Sequence, residues 1–288
     1  MSVLPGRFGP QPPPAERGRA SIDVVVELSA TVLAEPGAAE PPAVFVHGVL
    51  AWGDDDRYGF GHQRALAAHR RIVLLDRRGH GGSPDLEGPH RTDYEVDAAD
   101  VVDALGDGAH LVGHSYGGVA ALLAASRRPD LVRSLCLIQP GSLRVAEDHP
   151  VIADCLARNR AATGSLPPDM TAEQYLRLAT ESVGMPTPPA TPERLRAART
   201  SMGERPCWDA AVDLGPIADA PWPSLVIVGD WAGAPDAYRR LAGEPLTIAA
   251  QVLADRIGAD LLTVPGFYPH VQEPENVNTA IQNLWSRT

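Results

Sequence analysis

Lysine is absent from the chain of 288 residues, and all 25 of its basic residues are arginine. This excludes Schiff-base chemistry on a lysine amine and phosphate binding by a P-loop lysine. A GC-rich genome accounts for the bias. Cysteine is scarce: Cys136, Cys155 and Cys207 form no C-x-x-C pair and have no regular spacing, so neither a zinc site nor a disulfide framework is expected. A reducing cytoplasm fits them. No apolar run approaches the ~20 residues that cross a bilayer, and the N-terminus lacks a charged region followed by an apolar signal core. Positive charge is also in deficit, with 36 acidic residues against the 25 arginines and a formal charge of -11. Such a surface repels nucleic acid and anionic membrane, so the expected partner is a small molecule and not a polyanion.

What is present is a regular alternation of β-rich apolar runs with helical patterns, which signals a mostly parallel sheet covered on both faces. Ile22 to Leu28 and Thr31 to Ala34 read as an opening hairpin. Ala43 to Val46, Ile72 to Leu75, Ala109 to Val112, Val132 to Ile138, Leu225 to Val228 and Asp260 to Val264 supply six further strands. Thr92-Asp93-Tyr94-Glu95 has capping-box spacing, and Ala98, Val101, Val102 and Leu105 then recur at helical intervals until Gly106. Val277, Ala280, Ile281, Leu284 and Trp285 make the apolar stripe of a last helix that begins near Pro274. The length suits one large α/β domain with an insertion. Residues 1-20, rich in proline and glycine, read as a loose or extended arm. Residues 21-141 and 216-288 form the core. Residues 142-215 read as a helical cap, with helices over Asp148 to Arg160, Thr171 to Ser182 and Pro192 to Ser201. A cap placed there overhangs the carboxyl ends of the strands, where open α/β sheets put their ligands. The arm and the cap are also the expected contacts of a homodimer.

The most informative stretch is Leu111-Val112-Gly113-His114-Ser115-Tyr116-Gly117-Gly118. An apolar run meets G-x-S-x-G and passes directly into the small residues of a helix, so Ser115 stands at the tip of a strained strand-to-helix turn. A serine hydroxyl is a poor nucleophile until a base takes its proton. Of the nine histidines, His270 alone follows the seventh expected strand, in a loop rich in glycine and proline, and it is the expected base. His47 and His80 are expected to bond backbone, and His114 to point elsewhere on the turn. His62, His69, His90, His110 and His149 read as surface or loop residues.

Four motifs in order resemble the α/β-hydrolase family over about Ile22 to Trp285. Val44-Phe45-Val46-His47-Gly48-Val49 resembles its His-Gly loop and Asp76-Arg77-Arg78-Gly79-His80-Gly81-Gly82-Ser83 its D-x-R-G-x-G-x-S turn. Gly113 to Gly117 is similar to its nucleophile elbow, and Val264 to His270 with Gln272 and Pro274 to its terminal histidine loop. The resemblance implies an eight-stranded sheet with a helical cap after strand 6, and the chain order nucleophile, acid, histidine. It assigns the oxyanion hole to the backbone N–H groups of Val49 and Tyr116, whose side chains are then free to line the pocket.

The sequence departs from the family at the acid, where Val228-Gly229-Asp230-Trp231-Ala232 carries alanine at the place of the family's aspartate. Asp230 is the first choice for orienting His270. Glu244, in Glu244-Pro245-Leu246-Thr247, is the second, and Gln139, after the sixth strand, the third. Asp219 and Asp236 read as solvated loop charges. The expected activity is that of a serine hydrolase, without metal or cofactor, cleaving an ester, thioester or lactone through an acyl-enzyme on Ser115. The alternatives are a non-hydrolytic enzyme of the same fold (cyclisation, elimination or acyl transfer in secondary metabolism) and a degenerate ligand-binding protein. Trp208, Trp222, Trp231, Tyr175 and Met185 hint at an apolar pocket wall, though each also suits core packing.

Overall fold

A computed structural model describes residues 28–288. The arm and all but the last residue of the expected strand Ile22 to Leu28 lie outside the described residues. Within them, seven strands form one sheet: β1 (Ala30–Leu33), β2 (Ala39–Val46), β3 (Arg70–Leu75), β4 (Ala109–His114), β5 (Val132–Ile138), β6 (Ser224–Gly229) and β7 (Asp260–Val264). Their order is β1-β3-β2-β4-β5-β6-β7, with β1 antiparallel to β3 and every other pair parallel. The sheet is thus mostly parallel, as the alternation implies. Ten helices accompany it among the described residues: α1 (Tyr94–Leu105), α2 (Tyr116–Arg127), α3 (Pro150–Ala162), α4 (Ala172–Glu181), α5 (Pro192–Ser201), α6 (Gly215–Ala218), α7 (Asp236–Tyr238), α8 (Glu244–Ile257), α9 (Pro269–Gln272) and α10 (Pro274–Trp285).

Strand side chains alternate between faces, and in β2, β4, β5 and β6 both alternating sets are apolar, so these strands are covered on both sides. Val44, Val46, Leu111, Leu135, Leu137, Val226 and Val228 pack with α1, α2 and α8 on one face. Ala43, Phe45, Val112, Cys136, Ile138 and Ile227 pack with α10 and with Phe60 and Leu66 on the other. Each fully buried leucine or valine contributes roughly 1.5–3 kcal/mol. His110, read as a surface or loop residue although it falls in the expected strand Ala109 to Val112, is a fully buried strand residue whose Nδ1 meets Ser134 Oγ at 2.8 Å. The start of α1 also differs from the expected capping box. Asp93, not Thr92, is the N-cap and accepts from Glu95 N, because Thr92 is drawn inward to Asp97 and Arg77.

Between β5 and β6 the chain is helical. Thr171 and Thr191 cap α4 and α5 through their hydroxyls, close to the expected starts. This insertion meets the segment just before α1 through an isolated bridge between Glu204 and Thr92.

Candidate functional site

The ends of β2, β4, β5 and β6 and the loop after β7 converge at one edge of the sheet. At the end of β4 the backbone of Ser115 adopts φ 52°, ψ −117°, a region costly for a residue with a Cβ. Hydrogen bonds hold it there. Ser115 N donates to Ile138 O at 3.1 Å, and Ser115 O accepts from Gly118 N and Gly141 N, each at 3.0 Å. The turn closes only because its glycines have no side chain: a Cβ on Gly117 would run into the carbonyl oxygens of Val46 and His47. Among the described residues, no hydrogen bond engages the backbone N–H of Tyr116, in the first turn of α2, or that of Val49. Neither N–H is committed to another group among the described residues. The Tyr116 side chain does not line the pocket. It is buried beneath the turn, with its hydroxyl donating to Arg205 O at 3.0 Å.

The loop bearing Val49 is clamped from two sides. Arg77 donates from Nε to His47 O and from Nη2 to Gly48 O, both at 3.0 Å. Its charge is met by Asp97 at 2.8 Å and by Glu204 of the insertion at 3.1 Å, and its guanidinium stacks 4.3 Å from the Tyr116 ring. Burial pushes the Glu204 carboxyl up to about 7, against the pull of Arg77. On the other side, Leu50 N donates to Ser201 Oγ, and Arg194 of α5 donates to Leu50 O while pairing with Asp55 at 2.8 Å. His47 and His80 bond backbone as expected: His47 Nδ1 meets Gly48 O and its Nε2 accepts from Arg77 N, and His80 Nδ1 meets Arg78 O. Burial lowers both imidazoles well below the usual range.

Over Ser115 lies a partly open cavity of about 170 Å³. Val49, His114, Gln139 and Trp231 line it, with Phe267 and Tyr268 from the loop after β7 and Tyr238 from α7. A larger surface hollow of about 740 Å³ sits at Pro129, Trp222 and Thr288, beside the starts of β5 and β6, and contains no histidine, serine or cysteine. Ser115 and His114 line the smaller one. His114, expected to point away, is on its wall. Its Nδ1 is buried without a partner, and burial lowers its pKa well below the ordinary value, so the ring is neutral. Trp231 lines this cavity, and Tyr175 and Met185 line its neighbour, whereas Trp208 packs against the core and Trp222 faces the distant hollow.

His270 makes no hydrogen bond to Ser115 among the described residues, though its ring lies 4.2 Å from that of His114 between centroids. Pro269 turns the chain into α9 and carries the imidazole inward, where it is 0% exposed, 5.3 Å from the Phe60 ring, with Nε2 directed at Tyr58 O (3.4 Å) and Nδ1 unpartnered. Burial brings its pKa down to about 4. None of the three expected orienting groups meets it. The Asp230 carboxylate accepts from Ala232 N and Gly266 N, both at 2.8 Å, and so ties the β6 loop to the β7 loop. Glu244 is exposed at the start of α8. Gln139, at φ 43°, faces the cavity with Ser115. Asp219 and Asp236 are exposed, as expected.

The wall residues Tyr238, Phe267 and Tyr268 escape sequence reasoning. The last two stand in a loop that the motif reading scanned only for its histidine. Among the described residues no cluster of three or more His, Cys, Asp or Glu side chains could hold a metal ion, and no helix is long and apolar enough to cross a membrane.

Residues 43–278 match the alpha/beta hydrolase family. Among sequence relatives, a dihydrolipoyllysine-residue acetyltransferase component of an acetoin cleaving system from Pseudomonas putida is 40% identical over 37% of this chain and 29% of its own length. A pimeloyl-[acyl-carrier protein] methyl ester esterase from Methylococcus capsulatus is 32% identical over 60% of this chain and 64% of its own. The chain thus spans less than two thirds of each. Among solved structures, an alpha/beta hydrolase from Sphaerobacter thermophilus superposes with a TM-score of 0.60 at 23% identity, covering 90% of this chain and 96% of the other. The enol-lactonase from Burkholderia xenovorans gives 0.55 at 19%, covering 90% and 96%. These two likenesses concern the fold.

Proposed function

Because the chain belongs to the alpha/beta hydrolase family, we propose that it is an enzyme of that fold whose cavity over Ser115 transforms a small carbonyl compound without a serine–histidine relay, by cyclisation or elimination. One observation carries this reading: Phe267 and Tyr268 line the cavity with Ser115, while the fully buried His270 does not line it and makes no hydrogen bond to Ser115 among the described residues. In this reading the carbonyl oxygen is held by the N–H groups of Val49 and Tyr116, with the Ser115 hydroxyl as a further donor. Negative charge developing on that oxygen is stabilised by donors already in place, each worth ~3 kcal/mol in such sites. The neutral imidazole of His114 is the one titratable base on the cavity wall; it takes the proton from the carbon next to the carbonyl, the enolate re-forms the carbonyl as the bond from the β-carbon to its leaving group breaks, and the proton on His114 passes to the departing group. Trp231, Tyr238, Phe267 and Tyr268 give the cavity aromatic walls that limit the contact of water with the activated substrate.

A second reading, a serine hydrolase of ester, thioester or lactone type, is favoured by the strained Ser115 backbone and by the esterase among the sequence relatives. A fluorophosphonate probe with intact-mass detection separates the two. The first reading expects folded wild-type protein to remain unlabelled. Stoichiometric labelling that disappears in Ser115→Ala overturns it in favour of the second.

A further inference from the structure

The cavity over Ser115 does not end at its own walls. A second cavity of about 190 Å³ lies beside it under α4, and Val49, Tyr238 and Tyr268 line both. We propose that the two are lobes of one binding site for an uncharged ligand. A ring-sized part bearing the carbonyl lies beside Ser115, and a short aliphatic chain passes the Tyr238–Tyr268 pair into the outer lobe. This names a substrate class for the function proposed above and rests on that reading for its relevance to turnover, though not for binding itself.

Size supports the division. An apolar cavity of roughly 150 Å³ accepts benzene, so the inner lobe admits one ring. Neither lobe alone reaches the ~300 Å³ at which small-molecule sites usually begin, and together they do. The walls differ in kind. Around the inner lobe, Trp231 meets Tyr238 edge to face at 5.3 Å and Tyr238 meets Phe267 at 6.0 Å, which leaves flat slots suited to a planar group. The outer lobe adds Tyr58 and Tyr175 to the two shared tyrosines but also carries Leu50, Ala179, Val183 and Met185, and the methionine adapts to chains of varied shape.

Charge supports the ligand's neutrality. No arginine, aspartate or glutamate lines either lobe. The nearest cation, Arg194, is committed to Asp55 and Leu50 O, with its flat face on Tyr58 and Trp52. The Tyr238 and Tyr268 hydroxyls face each other at the junction, and burial raises both, so they stay protonated and can donate to a ligand oxygen. A carboxylate entering either lobe would lose its water without gaining a partner.

The test is calorimetric titration of the whole chain with acetophenone, butyrophenone and hexanophenone, and with the carboxylate obtained by oxidising the terminal methyl of hexanophenone. Affinity is expected to rise about fourfold per methylene along the ketones, with the carboxylate at least ~100-fold weaker than hexanophenone. Ala179→Trp and Val183→Phe, each checked by thermal unfolding, should fill the outer lobe and drop hexanophenone to the affinity of acetophenone. Affinity independent of chain length, a carboxylate that binds as tightly as its ketone, or filled variants that keep the gain would each overturn the proposal. If neither variant folds, the wild-type series decides alone. Absence of turnover leaves these readouts untouched, so failure of the catalytic reading and failure of the two-lobed site are separately visible.

Discussion

The imidazole rings of His114 and His270 lie 4.2 Å apart between centroids, yet only His114 reaches the cavity that holds Ser115. One ring is a wall of the site and the other supports it from below, where Gln63 Nε2 also donates to His270 O at 2.9 Å.

His270→Ala should act through packing. Deleting a ring this deeply buried should cost about 2–4 kcal/mol by leaving a cavity. His114→Ala should instead depress turnover more than it depresses stability. Urea midpoints beside single-turnover rates check this, and a His270→Ala protein of normal stability that has lost all activity would reverse the assignment.

Acid should unfold the protein early. Burial depresses the imidazoles of His47, His80 and His114, with His110 brought down to about 3 and His270 to about 4. Between roughly pH 6.5 and 4 the unfolded chain takes up protons at these positions that the folded chain refuses. Their contribution is therefore fully present above pH ~6.5 and is lost as pH falls, by up to ~1.4 kcal/mol per unit for each histidine. Urea midpoints at pH 7.5, 6 and 5 should fall in that order, and a flat series counts against it.

Glu204 has the opposite sign. Its folded pKa of about 7 lies above its unfolded value, so the folded chain holds the extra proton between pH ~4.5 and 7. Its contribution is largest at the acid end of that window and is lost as pH rises through 7. Glu204→Gln should gain on the wild type with rising pH, by a total on the order of 2 kcal/mol. The difference between the two unfolding curves across pH 5–8 measures it, and parallel curves would refute it.

Strain at the turn predicts a stabilising change that costs function. Ser115→Gly should relieve the positive φ and raise stability by about 1 kcal/mol while abolishing activity. Gly117→Ala should cost several kcal/mol through its collision with the β2 carbonyls, or prevent folding. Thermal unfolding of the two purified variants should move in opposite directions, and a shift of the same sign in both would contradict the account.

The sequence by itself determined the elements and the position of Ser115, because these depend on short-range rules. Period-two apolar runs become buried strands, hydroxyl and carboxylate caps start helices, and only glycine tolerates the close approach inside G-x-S-x-G. The same local reading took His110 for a surface or loop residue within a run it read as a strand, since the burial of a polar side chain is not visible until Ser134 is found beside it. It also ranked Asp230, Glu244 and Gln139 by their place in motifs resembling the family's, whereas the Asp230 carboxylate is held by two backbone N–H groups in the loops it joins. Which rings face Ser115 was decided by the tertiary structure. The few residues between Gly266 and Pro269 set the rotation with which the chain enters α9, and that rotation turns Phe267 and Tyr268 to the cavity and His270 to the core. Such an orientation follows from packing against Tyr58, Phe60 and Tyr238, residues distant in the chain. No local pattern encodes it.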